Sequence, residues 1–249
     1  MRAPATVLVG GLSLLLVAPV TAQTAPARPV KVVADLGYVN ASGNSNLSTL
    51  NLGEKLTWTP AGSKFSLNQY AAYVTGSTSG EESANRLGLG GRGTYKLSAR
   101  LSAFAGLDFE RDPFAGIDRR FTELVGLGWT ALDAPRNTLS LEGGATFVQA
   151  TYTESQDDGT LDDRYATWRL AGTYRWLLGE KAYVQWMGEY LPGFEKETGY
   201  RVNTEAALVA PINRIVALKT TYLLRYNSNP PSDFKTTDRT FTTGIQVTP

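Results

Sequence analysis

The strongest constraint on the fold of this chain is an alternation of apolar and polar residues, in segments of about ten residues, from residue 30 to the end. In segment 101–110 the two faces comprise Leu101, Ala103, Ala105, Leu107 and Phe109, against Ser102, Gly106, Asp108 and Glu110. A period of two residues indicates a β-strand, and a tilted strand of roughly 9–11 residues crosses a bilayer within a closed barrel. The pattern therefore predicts an all-β fold, a transmembrane antiparallel up-and-down β-barrel.

Twelve segments of this kind follow one another, and no domain boundary separates them. They cover residues 30–41, 46–58, 63–75, 84–97, 100–111, 119–131, 137–152, 164–177, 181–191, 200–210, 213–227 and 236–248. An even number of strands, spaced about 19 residues apart, is typical of a single-chain outer-membrane barrel. We therefore predict one barrel domain over residues 30–249, preceded by a short tail over residues 23–29.

The connections between these segments alternate in length and polarity. The short ones are residues 60–62, 97–99, 132–136, 178–180 and 211–213. The longer, more polar ones are residues 42–46, 76–83, 112–118, 154–163, 192–199 and 228–235. Outer-membrane barrels have short turns at the periplasmic end and longer loops at the outward end, so this alternation is typical of them.

Aromatic residues are sorted by strand end, which a soluble sandwich would not require. The predicted inner ends carry Trp58, Tyr95, Trp129 and Trp176, and the outer ends carry Tyr38, Tyr73, Phe109, Tyr190 and Tyr226. Amphipathic rings at both membrane interfaces are typical of transmembrane barrels. The positions predict two aromatic girdles.

The N-terminus has the pattern of a secretory signal peptide. Met1-Arg2 gives a positive start, residues 7–20 are apolar, and Val20-Thr21-Ala22 places small residues before a cleavage site. We expect residues 1–22 to be removed before Gln23, because the apolar run is short for a membrane anchor. Export of this kind predicts a location in the bacterial outer membrane.

Charged residues on the strands fall mainly on one face, which must point into the lumen because a midplane Arg or Lys facing lipid costs about 2–4 kcal/mol. The predicted inward cations are Lys55, Arg86, Arg92, Lys96, Arg120, Arg169, Arg175, Lys219 and Arg225. The predicted inward carboxylates are Asp35, Asp108, Glu110, Glu142, Glu189 and Glu205. Glu54 and Glu123 fall on the apolar face, which indicates either a position near an interface or a shift of register.

These inward charges have two interpretations. A barrel of about twelve strands is too wide for apolar side chains to fill, so ion pairs with trapped water could occupy it. Alternatively, the modest basic excess could form a selective lining for an anionic solute. The residues that could serve in either way are Asp108, Glu110, Arg120, Glu142, Arg169, Arg175, Lys219 and Arg225.

Composition excludes several kinds of chemistry, because the chain contains no Cys and no His. Disulfides, thiolate metal sites and catalytic triads that depend on His are impossible, and no basic stripe indicates nucleic acid. We therefore predict a protein that is not an enzyme and has no cofactor or metal site. Two alternatives remain: a His-independent enzyme acting on lipid or lipopolysaccharide near Asp108, Glu110 and Arg120, and a secreted β-barrel that binds a small ligand.

Two local motifs have simpler structural explanations. Residues 88–93 match a dinucleotide-binding glycine pattern but lie inside a strand with no helix after them. Strand glycines of this kind let aromatic rings from neighbouring strands cover the backbone. The acidic segment 157–163 could hold Ca²⁺ through its four Asp, although it lacks the ligand order of a calcium loop, and a solvated loop is favoured.

Residues 110–120 form the densest charge cluster. We predict a compact outer loop pinned by Arg–carboxylate pairs, with Phe114 and Ile117 as its small core. Acid–base chemistry by its paired carboxylates is the less favoured interpretation. The residues that define this outer-loop cluster are Arg111, Asp112, Phe114, Gly116 and Asp118.

The chain resembles the salt-induced outer membrane protein family in several short segments. These are the loop Arg111–Asp118, the following Arg119-Arg120, the sequence Gly126-Leu127-Gly128-Trp129 and the early segment 41–46. That family consists of Gram-negative barrels without an assigned function. The resemblance spans the mature chain and implies an outer-membrane location and a link to stress, but no catalytic residue. We expect a monomer whose partners are outer-membrane lipids, lipopolysaccharide and the barrel-insertion machinery. The terminal Pro249 departs from the aromatic end that this machinery commonly reads.

Overall fold

The computed structural model describes residues 29–41, 47–154, 161–230 and 234–248. These residues form twelve antiparallel strands: β1 Val30–Ala41, β2 Leu47–Trp58, β3 Phe65–Thr78, β4 Glu81–Lys96, β5 Leu101–Asp112, β6 Ile117–Asp133, β7 Asn137–Tyr152, β8 Asp162–Leu177, β9 Tyr183–Pro192, β10 Tyr200–Pro211, β11 Val216–Asn227 and β12 Thr237–Val247. Each strand pairs with its neighbours in sequence, and β1 pairs with β12 to close a barrel. The predicted all-β barrel and its twelve strands are confirmed.

Two short 3₁₀ helices, Pro113–Ala115 and Lys196–Thr198, lie in the connections. No helix within the described residues is long and apolar enough to cross a membrane. One end of the barrel, the turn end, carries the connections 59–64, 97–100, 134–136, 178–182 and 212–215. The opposite end, the loop end, carries the connections after β3, β5, β7, β9 and β11 as well as the one after β1.

The connection between β3 and β4 differs from the prediction. Instead of a loop over 76–83, the two strands continue to Thr78 and Glu81 and meet in a two-residue turn. Ser79 and Gly80 have φ angles of 56° and 88°. Positive φ at both central residues is typical of the tight hairpin turn whose twist matches that of the strands. The polar residues that were predicted to form a loop therefore extend the hairpin instead.

The strand register explains how the faces separate. Leu107, Val125 and Trp168 are among the most exposed large apolar residues of the isolated chain, because they face outward where lipid would lie. Glu54 pairs with Ala34 and Ala71, and Glu123 pairs with Leu107 and Phe147, so both carboxylates face outward. The pairing is continuous at both positions, and no register shift brings them inside.

Closure of the barrel depends on a short seam. β1 pairs with β12 only over Ala34–Gly37, against Gly244–Val247, whereas β1 pairs with β2 along its whole length. At the seam the two backbones approach closely: a Cβ on Gly244 would lie 2.7 Å from Gly37 Cα on β1. Glycine at this point therefore permits closure.

Inward-facing glycines provide space for aromatic rings, as the sequence predicted. The ring of Tyr70 lies over Gly90, and its hydroxyl donates to Asp108 Oδ1 at 2.9 Å. A Cβ on Gly90 would overlap both the ring and the carboxylate. Gly91, the next residue, faces outward, and a Cβ on it would have no atom of a non-adjacent residue within 4 Å.

We expect the substitution Gly90→Ala to lower the free energy of unfolding by about 1–3 kcal/mol, because the methyl group displaces the Tyr70 ring and breaks its bond to Asp108. The measurement is urea unfolding of the barrel in phospholipid vesicles, followed by tryptophan fluorescence. Gly91→Ala is the matched control and should leave the midpoint unchanged. Equal effects of the two substitutions would contradict the packing role of Gly90.

Candidate functional site: the charged lumen

The outer charge cluster, near the loop end of the lumen, is built around Glu110. Its carboxylate accepts hydrogen bonds from Arg86 Nε at 3.2 Å, Arg120 Nη1 at 3.1 Å and Arg225 Nη2 at 2.6 Å. Asp112 lies 3.8 Å from Arg86 Nε and 3.7 Å from Arg225 Nη1. The Glu110 side chain is only 15% exposed. One buried carboxylate is thus shared by three guanidinium groups, with a second carboxylate beside it.

The contact between Glu110 and Arg225 crosses the lumen. Glu110 lies on β5 and Arg225 on β11, which are six strands apart in the ring of twelve and therefore on opposite walls. Their side chains meet at 2.6 Å. This pair divides the lumen at its level and leaves no single wide passage there.

The central charge cluster lies deeper in the barrel. Glu142 receives two bonds from Arg92, at 3.0 and 2.7 Å, and one from Arg169 at 2.7 Å. Arg169 Nε also donates to Glu189 at 2.6 Å, and Asn203 Nδ2 donates to the other oxygen of Glu189 at 2.9 Å. Bidentate Arg–carboxylate geometry is among the stronger polar arrangements in proteins. The cluster connects β4 with β7, β8, β9 and β10.

Phe104 supports this cluster and was missed in the sequence. It lies on the predominantly polar face of β5, is buried, and has the Arg92 guanidinium 3.6 Å from its ring centroid. Gly126 on the neighbouring strand makes room for the ring. A bulky aromatic residue on the polar face, paired with glycine, was the available signal.

Two further inward-facing cations, Lys219 and Arg175, lie outside the two charge clusters. Asp35 accepts from Lys219 Nζ at 2.6 Å and from Gln246 Nε2 at 3.0 Å. Arg175 is placed differently from the other predicted arginines: its guanidinium lies 3.7 Å from the Tyr183 ring centroid. Its buried Nε has no hydrogen-bond partner within the described residues.

Part of the lumen is packed rather than charged. Val148, Ala150 and Tyr152 on β7 form a buried apolar group with Tyr165, and the hydroxyls of Thr146 and Thr167 are 2.6 Å apart. This packing fills the lumen beside β7 and β8.

The wall formed by β12, β1 and β2 carries small inward-facing side chains: Gly37, Asn51, Gly53, Thr242 and Gly244. Towards the turn end, inward residues are accessible to solvent inside the barrel. Tyr70 is 40% and Met187 is 42% exposed, and Lys55 is also exposed. These exposures indicate water-accessible space in the turn-end half of the lumen.

The outer-loop cluster is only partly as expected. Asp112 points to the lumen arginines, and Gly116 (φ 75°) ends the short helix by donating to Pro113 O at 3.1 Å. Ile117 is buried, but Phe114 is 46% exposed, so the predicted core of these two residues is wrong. Pairing through the barrel interior holds the loop instead. Arg111 is exposed and Asp118 half-buried.

The structure also shows where the glycine motif, part of the acidic segment and the candidate catalytic carboxylates lie. Residues 88–93 lie within β4, and β5 follows, so the helix required by a dinucleotide site is missing there. Residues 157–160 of the acidic segment lie outside the described residues, while Asp162 accepts from Thr151 Oγ1 at 2.6 Å. In the proposed catalytic group, the Asp108 carboxylate accepts from Tyr70, and Glu110 is held by arginines.

The sequence matches one family model and one curated relative, and neither has an assigned function. The family model described as "Protein of unknown function, DUF481" matches residues 34–248. The uncharacterized protein YdiY of Escherichia coli (strain K12) is 28% identical over 204 residues, which cover 82% of this chain and 77% of that protein.

The solved NanC porin shares the barrel fold. The NanC porin gives a TM-score of 0.54 at 10% identity, over 87% of this chain and 98% of that chain. An outer membrane channel from Pseudomonas putida F1 gives a TM-score of 0.48 at 10% identity, over 88% of this chain and 93% of that chain. At such low identity the likeness to NanC concerns the barrel alone.

We expect Glu110→Gln to lower the free energy of unfolding by about 3 kcal/mol, because removing the charge leaves clustered arginines uncompensated in a buried site. Urea unfolding in vesicles measures the effect. Glu123→Gln is the control, since that carboxylate faces outward, and it should change stability by less than about 0.5 kcal/mol. Equal stability of Glu110→Gln and wild type would show that the cluster contributes nothing to the barrel.

Proposed function

We propose that this chain, which belongs to the DUF481 family of proteins of unknown function, forms a narrow water-filled channel across the outer membrane. The observation that carries the proposal is the contact between Glu110 and Arg225 across a lumen whose other walls also carry polar and small side chains. The contact limits the width of the passage without filling it.

The width of the barrel supports a wet lumen. Eight strands leave an interior that side chains can fill, but wider barrels enclose ligands or water. Here the interior charges are arranged as hydrogen-bonded clusters, which is the form in which buried charges are tolerated. The solvent-exposed inward residues Lys55, Tyr70 and Met187 support continuity of this water with the turn end.

The proposed passage follows the wall of β12, β1 and β2. On the opposite side, Val148, Tyr152 and Tyr165 fill the space behind the outer charge cluster. Side chains are small on the β1–β2 side, where Gly37 and Gly53 face inward. A channel bounded in this way would pass ions and small polar solutes rather than polymers.

Export and location are part of the same proposal. Residues 1–22 would direct secretion and be removed before Gln23, and the barrel would then insert as a monomer in contact with outer-membrane lipids and lipopolysaccharide. The two aromatic girdles support a membrane-spanning position, since Trp58, Tyr95, Trp129 and Trp176 all lie exposed at the turn end. Intact mass of the protein isolated from outer membranes tests the cleavage point.

A role as a structural element of the envelope is the second candidate. The observation that favours it is the extent of cross-linking, because the two charge clusters connect strands from β4 to β11. A stress-related role, which the family resemblance implied, fits either candidate. The enzymatic alternative predicts turnover of labelled lipid A by the purified barrel, and the engagement of Asp108 and Glu110 argues against it.

We expect the refolded mature protein to give discrete, salt-dependent conductance steps in a planar bilayer. Arg225→Ala should raise the single-channel conductance roughly twofold, because it removes the side chain that crosses the lumen. Arg239→Ala, on the outer face of β12, is the control and should leave conductance unchanged. Heat-modifiable gel mobility establishes folding. A folded but silent barrel would contradict the channel and favour the structural role.

A further inference from the structure

Lys55 differs from the arginines of the two charge clusters in having no bonded partner. It lies on β2, three residues from the turn-end Trp58, between Val33 on β1 and Tyr70 on β3. Its side chain is exposed to the water-accessible interior of the barrel. In the part of the chain that the structure describes, no hydrogen bond or ion pair holds its ammonium group.

Three inward carboxylates of the barrel have partners of their own. Asp35 accepts Lys219 on one oxygen and Gln246 on the other. Asp108 accepts the Tyr70 hydroxyl, and both oxygens of Glu142 are held by arginines. Within the described residues neither these carboxylates nor Glu205 on β10 bonds to Lys55, so its ammonium remains available to a solute.

Lys31 is the cation nearest to Lys55 along the strands, since Lys31 pairs with Thr57 and Val33 pairs with Lys55. Lys219 and Arg92 face the same interior from β11 and β4, as does the carboxylate of Glu205 on β10. Lys31 faces inward at the turn end of β1 and is also exposed. Clustered like charges in a low-dielectric cleft raise the local concentration of counter-ions.

We propose that Lys55, with Lys31 beside it, is a binding position for a small oxyanion, such as a carboxylate or phosphate group, inside the lumen. The inference rests on the proposed channel and adds its substrate class. An ammonium group offers three donors to such an anion. Because the site is exposed and water-filled, binding is weak enough for the anion to leave, as conduction requires.

The test is the reversal potential of single channels of the full mature barrel under a gradient of potassium chloride, followed by addition of inorganic phosphate. We expect wild type to prefer chloride over potassium by about threefold or more, and phosphate to reduce the chloride current. Lys55→Gln should bring the permeability ratio close to one and abolish the effect of phosphate. Lys55→Arg, which keeps the charge, should retain the preference.

Lys235→Gln provides the matched control, because this exposed lysine lies in the loop before β12 at the opposite end of the barrel, and the variant should behave as wild type. Channels without anion preference in wild type, or with preference unchanged in folded Lys55→Gln, would overturn the assignment to Lys55 while leaving the channel intact. If Lys55→Gln fails to fold, two other measurements test the assignment: the ion selectivity of wild type and that of Lys31→Gln. We expect Lys31→Gln to reduce the preference for chloride over potassium roughly by half. Absence of channel steps from folded wild type would instead overturn the proposed function.

Discussion

The interior of this barrel depends on the need to pair charges that cannot reach bulk water. Lipid outside forces the polar face of every strand inward, and twelve strands enclose more space than apolar side chains would fill. Glu110 meets this requirement by accepting from three arginines on three different strands. The pairing therefore determines where the lumen narrows and which strands are joined across it.

The same chemistry reinforces the weakest part of the barrel. The seam between β1 and β12 contains far fewer backbone pairs than the neighbouring β1–β2 interface. On the lumen side, Asp35 of β1 binds Gln246 of β12 and Lys219 of β11, so side chains continue the connection across the seam. Glycines at the closing point let the backbones approach. Barrel closure and lumen chemistry are thus coupled at Asp35.

Much of the architecture could be predicted because a period of two residues and the exclusion of charge from lipid both act locally. Those rules located the strands and assigned inward residues such as Glu142 and Arg169. They could not identify partners across the lumen, since Glu110 and Arg225 are distant in sequence and meet only when the barrel closes. Phe104 was missed for a similar reason: its environment depends on Arg92 and Gly126 from other strands.

The inward cations differ in how they are held. Arg86, Arg92, Arg120, Arg169 and Arg225 are held by carboxylates, and so is Lys219, whereas Arg175 lies on the Tyr183 ring and Lys55 has no such partner. The planar guanidinium suits fixed, multiply bonded pairs, and the ammonium is a strongly hydrated point charge on a flexible stem. Arginine therefore suits the multiply bonded clusters that narrow the lumen, and an unpaired lysine suits transient contact with a passing anion. The proposed anion position at Lys55 follows from this difference.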